Sequence, residues 1–171
     1  MSEQRHYFCE FRFDHRRLYV VWYSNEQDGL VRLRDGRIAA FADEPQVHEF
    51  SRASGMSLMP DPPQVYDFDM IAAWCDHPTA ETIDPAAFLN AWNMLEDAQS
   101  FKSNVLSLYK IASRRTDEIY DKLFFGNNIP AITPNGVGYE PIWSQDEIEV
   151  LSWIYRFGLA ELRASIQGSN R

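Results

Sequence analysis

Between Ala86 and Phe125 the chain runs for 40 residues without a glycine or a proline. Nothing there stops a helix, yet a single helix of that length would reach about 60 Å at 1.5 Å per residue. A compact domain of this chain length is only about 40 Å across. The segment must fold back, and the polar run "SFKSN" at residues 100–104 is the predicted corner, with a second candidate break near Thr116. Its start is well marked, because Asp84 can cap the first turn and Pro85 suits the first helical position. Just before it, Phe68, Ile71, Ala72 and Cys75 share one face of a shorter predicted helix that Pro78 ends.

The N-terminal third has the period of strands instead. "HYFCEFRF" places Tyr7, Cys9, Phe11 and Phe13 on one side, "RLYVVWYS" is a β-branched and aromatic run, and "DHR" between them supplies a turn. "GLVRL" and "GRIAAFA" flank an Asp35-Gly36 pair that favours a tight turn. Four antiparallel strands follow from this. Asp43, Pro45 and Gly55 then bracket a short helix, and Pro60, Pro62 and Pro63 make "MSLMPDPPQVYDF" an extended connector. The expected fold is α+β in a single domain, residues 1–171. An N-terminal antiparallel β-meander with a short helix occupies residues 1–55, and a mainly helical layer follows over residues 56–171.

The last predicted helix opens with Ser144 and Glu147 in capping-box spacing. Ile148, Leu151, Tyr155, Leu159, Leu162 and Ile166 make one apolar face, and Val150, Trp153, Ile154 and Phe157 make a second almost opposite. Only a narrow strip with Gln145, Ser152, Arg156 and Arg163 is left polar between the two faces. Such a helix is either central in a bundle, with Trp153 or Phe157 buried, or packs on the sheet with one face and on a partner with the other.

Charge narrows the function classes. The net charge of −9 argues against nucleic-acid binding, which needs clustered Lys and Arg. Between Arg52 and Lys102 no Lys or Arg intervenes, while Asp61, Asp67, Asp69, Asp76, Glu81, Asp84, Glu96 and Asp97 do. That interval is a solvated acidic surface or a field that draws a cationic partner. The longest apolar run, "LYVVWY", is far too short to span a bilayer. "MSEQRHYFCE" has no apolar leader core, so cytoplasmic residence is expected. Cys9 and Cys75 lack metal-type spacing and read as buried thiols.

Catalytic equipment is sparse. "NGVG" lacks the context of a phosphate-binding loop, the four histidines form no paired-ligand motif, and no cofactor is implied. In "WCDHP", adjacent side chains on a helix diverge by about 100° and do not meet. Asp67, Asp69, Asp76 and His77 are the basis of an alternative reading as a small hydrolytic or metal-dependent enzyme. Helix capping and surface solvation explain the same residues. Asn90, Asn93, Asp97, Ser100 and Asn104 recur at helical spacing opposite Phe88, Trp92 and Leu95, a stripe of amides suited to recognition or simply to water.

Two segments, "FLNAWNMLEDAQ" at residues 88–99 and "IYDKLFFGNNIPAITPNGVGYEPIWSQDEIEVL" at residues 119–151, resemble bacterial immunity proteins of polymorphic and contact-dependent growth inhibition toxin systems. The resemblance covers about a quarter of the chain, and Tyr120 to Trp143 is its most specific part. It implies a non-enzymatic protein that binds and neutralises a cognate toxin domain in the cytoplasm; with the acidic interval, the expected partner is a cationic toxin domain, a nuclease being the expected kind. No catalytic residue is carried over. Asp67, Asp69, Asp76, Asn90, Asn93, Asp97 and Tyr139 are the candidate partner-binding residues. Residues 126–143 are expected to form an ordered loop, with Phe124, Phe125, Ile129, Ile132 and Trp143 anchored in the core and Asn127, Asn128, Asn135, Gly136 and Tyr139 near the surface. The loop serves as scaffolding or touches the partner, and a hairpin turning at Asn135-Gly136 would also fit.

Overall fold

The computed structural model describes residues 4–26, 28–99, 113–131 and 137–167. Strands β1 (Arg5–Phe13) and β2 (Arg16–Ser24) pair antiparallel in a nine-residue ladder around the turn at Asp14 and His15. Both turn residues have positive φ, 53° and 57°, which matches the twist a two-residue hairpin needs. Strands β3 (Gly29–Leu30) and β4 (Ala40–Phe41) both pair with β2, joined by a short ladder through Arg32 and Ile38. Gly36 turns that ladder at φ 88°.

The meander is therefore present, but the sheet does not end with it. A fifth strand, β5 (Gln64–Asp67), runs parallel to β1 and closes the order β3-β2-β1-β5. The expectation of a sheet confined to residues 1–55 is corrected here. The prolines that mark the connector stop at Pro63, so the four residues after it keep their N–H groups and can pair with the free edge of β1.

Helix α1 (Glu44–Ala53) is capped by Asp43, whose carboxylate accepts from the Gln46 N–H. It covers one face of the sheet, where Val47 packs with Phe8, Tyr19 and Val21. The opposite face carries Cys9, Phe11, Phe13, Leu18 and Val20, which join the main core. Helices α2 (Phe68–Asp76), α3 (Pro85–Asp97), α4 (Ser113–Gly126) and α5 (Gln145–Gln167) supply the rest of it. At its centre Tyr155 is fully buried, its hydroxyl donating to the Phe88 carbonyl at 2.6 Å. Rings of Trp74, Phe88 and Trp92 meet Tyr155 nearly edge-on.

The predicted fold-back at residues 100–104 lies outside the described residues, and so does Ile132. Thr116, the second candidate break, sits inside α4. The reading of α5 as a central helix is also corrected. Its first face is largely buried, and of the second Ile154 is buried and Val150 packs against the core, but Trp153 is half exposed and Phe157 only partly covered, so the helix is not enclosed on all sides. Of the predicted polar strip, Ser152 is buried, whereas Arg156 and Arg163 reach out to Asp76 and Asp14. No helix among the described residues is long and apolar enough to cross a membrane.

Candidate partner-binding surface

The acidic candidates on α2 have structural work. Asp67 caps the helix by accepting from the Met70 N–H at 2.9 Å, and it also faces Arg12 at 3.4 Å. Asp69 accepts from the backbone N–H of His15 at 3.1 Å, tying the helix start to the hairpin turn. Asp76, at the other end, is exposed and lies 3.7 Å from Arg156. His77 follows it as the C-terminal cap. These four side chains are strung along α2 and its two caps, about 15 Å at 1.5 Å per residue. They do not converge on one point. Among the described residues no group of three or more His, Cys, Asp or Glu is gathered as a metal site. The neighbouring Cys75 is buried, its thiol pKa raised by that burial and its Sγ set 3.7 Å from the Ser152 carbonyl.

On α3, Asp97 turns inward. Its carboxylate accepts from the Trp22 indole at 2.8 Å, and burial raises its pKa above the ordinary carboxylate value. Asn93 accepts from the Tyr120 hydroxyl at 3.1 Å, and both Asn90 and Asn93 are exposed. Ser100 and Asn104 lie outside the described residues. Glu96 accepts from Trp92 at 3.0 Å beside a small hollow of about 50 Å³ lined by Leu95, Ile154 and Gly158. That volume suits a water and is far below the few hundred Å³ of a substrate pocket.

The loop after α4 is built differently. Asn128, at φ 51°, donates to the carbonyls of Gly126 and Tyr139 and accepts from the Tyr139 N–H at 2.6 Å, joining positions eleven residues apart. Lys122 donates to the Ile142 carbonyl at 2.6 Å and to both oxygens of Glu147 at 2.6 and 2.8 Å. Its ammonium also lies 5.5 Å from the centre of the Trp143 ring. Ser144 and Glu147 complete the predicted capping box, the Ser144 N–H donating at 2.8 Å and the Glu147 N–H returning at 3.3 Å. Gly126 lets Pro85 and Pro141 close on the end of α4, where a Cβ would stand 3.0 to 3.1 Å from their rings.

This clamped segment holds apolar side chains out in water. Phe125, Ile129, Val137, Tyr139 and Ile142 are five of the eight large hydrophobic residues exposed among the described residues, and Ile142 is 84% exposed. The expected core anchoring of Phe125 and Ile129 is therefore corrected, while Phe124 and Trp143 do pack against the core. The segment closes by polar clamps at Asn128 and Lys122, so its apolar side chains are not needed to hold it shut. Tyr139, expected near the surface, is there. The other four were missed because hydrophobicity alone points inward. The available signal was the density of Pro and Gly between them, which denies the segment a regular face to bury.

The surroundings are acidic. Residues 113–149 contain seven acidic and three basic side chains, and Arg115 and Lys122 are engaged by Asp146 and Glu147. No protein-family model matches this chain, and neither a curated protein nor a solved structure matches it.

Proposed function

We propose that this chain is a non-enzymatic binding protein that neutralises a basic toxin domain, as the resemblance of residues 88–99 and 119–151 to immunity proteins implies. The supporting observation is the group of exposed side chains Phe125, Ile129, Val137, Tyr139 and Ile142. Apolar side chains grouped at a surface are unfavourable in water and are expected where a partner will cover them. Clamps at Asn128 and Lys122 set the loop before binding, which reduces the ordering cost of association. The acidic excess around it fits a basic partner and would speed encounter. Neutralisation of a nuclease-type toxin would take place in the cytoplasm, where its substrate lies.

The test is calorimetric titration of the chain with the toxin domain encoded beside its gene, together with growth rescue on co-expression. A tight complex with growth restored is the expected result, and Ile142→Asp or Tyr139→Ala should weaken it by tenfold or more. Absence of a complex, or affinity unchanged in both variants, overturns the proposal.

A further inference from the structure

We infer that the rings of Phe125 and Tyr139 form two walls of a slot for one cationic side chain, arginine or lysine, of a protein partner, with Asp121 as counter-charge. The inference rests on the reading of this loop as a partner surface. The ring centres are 6.4 Å apart and the planes meet at 81°. Phe125 and Tyr139 are 49% and 42% exposed, so the corner between them opens to solvent. The buried pairs Trp74–Tyr155 and Trp92–Tyr155 have similar spacings, 6.5 and 6.3 Å, so exposure and not separation sets this corner apart. A cation in the corner can lie within about 6 Å of both ring centres and meet the negative face of the aromatic system.

Charge selects the guest. Asp121 stands four residues before Phe125 on α4, one turn back on the same face, and is exposed. The chain's own ammonium next to it does not fill the corner, because Lys122 is held by Glu147 and the Ile142 carbonyl. The Tyr139 wall is fixed by the Asn128 clamp on its backbone, and the Phe125 wall by the last turn of α4. Little ordering is therefore left to occur on binding. Val137 and Ile142, 74% and 84% exposed, provide apolar surface for the rest of the partner.

The experiment is a nuclear magnetic resonance titration of the isotope-labelled chain with Nα-acetyl-arginine methylamide and, separately, with its citrulline analogue, which keeps the shape and loses the charge. Ring signals of Phe125 and Tyr139 and the amides of residues 137–140 should move with the arginine compound and stay still with citrulline. Tyr139→Phe should preserve binding, Tyr139→Leu should weaken it by about tenfold, and Asp121→Asn by a smaller factor. All these positions are exposed, and a melting curve of each variant checks that it is folded. An equal response to citrulline, shifts spread evenly over the acidic surface, or unchanged binding in Tyr139→Leu overturns the slot. The two proposals separate cleanly: arginine capture without a complex with the neighbouring toxin defeats the neutralisation reading alone, and a complex weakened by Ile142→Asp but indifferent to Tyr139→Leu defeats the slot alone.

Discussion

At the scale of single residues, two carboxylates carry opposite pH dependences. Burial alone would raise the pKa of Glu147, but hydrogen bonds from Lys122 and Ser144 outweigh it and hold the group below its ordinary value. A depressed folded pKa gives stabilisation that is present above the unfolded carboxylate pKa and lost as pH falls through the folded one. Glu147→Gln is expected to cost about 1–3 kcal/mol near neutrality, because Lys122 loses a charged partner in a half-buried setting. Thermal melts at pH 7 and pH 3 should show that difference shrinking in acid. Asp97 behaves the other way, since burial raises its pKa despite the bond from Trp22. The stabilisation of its protonated form is complete below the unfolded pKa and is lost as pH rises through the raised folded one. Asp97→Asn keeps an acceptor for the Trp22 indole and removes the ionisation. Its stability relative to the parent should therefore rise between pH 4 and pH 7 in urea titrations, and a fall would mean that the carboxylate does more than accept that bond. Neither sign was legible in the sequence, where Glu147 is half of a local capping box and Asp97 one more charge on a helix.

Elements divide by whether their cause is local. Both helix starts marked by an Asp followed by Pro were readable because a cap and its N–H partners lie within three residues. The capping box at Ser144 was readable for the same reason. Strand β5 was not, since its partner β1 lies more than fifty residues away and four residues carry too little pattern. The α3–α5 contact is likewise tertiary. Gly158 allows Leu95 to approach so closely that a Cβ would meet its Cδ1 at 2.9 Å. Gly158→Val should overpack this contact and cost about 1–3 kcal/mol in chemical denaturation. The loop clamp is the second element-scale test. Asn128→Ala removes the bonds that bridge to Tyr139, and amide exchange at Tyr139 should accelerate by tenfold or more, about 1.4 kcal/mol of local protection.

For the molecule as a whole, the proposed toxin complex should form at a rate that falls with salt, since an acidic surface steers a basic partner only while its field reaches beyond the screening length, about 10 Å at 0.1 M. Stopped-flow association across a salt series measures this, and a salt-independent rate would leave the net charge of −9 with no part in encounter. The sequence by itself determined the α+β class, the hairpin, the helix caps and the excess of acid. Each of these is set by neighbours in the chain or by composition, so no distant contact is needed to read it. The tertiary structure alone decided which candidates were free. It turned Asp97 to Trp22, bound Asp69 to the hairpin turn and placed Trp153 at the surface. Phe125 and Ile142 were left in water in the same way. The physical reason is that burial belongs to pairs of elements: a hydrophobic side chain enters the core only if another element arrives to cover it, and a carboxylate is available only if no donor from elsewhere has reached it first.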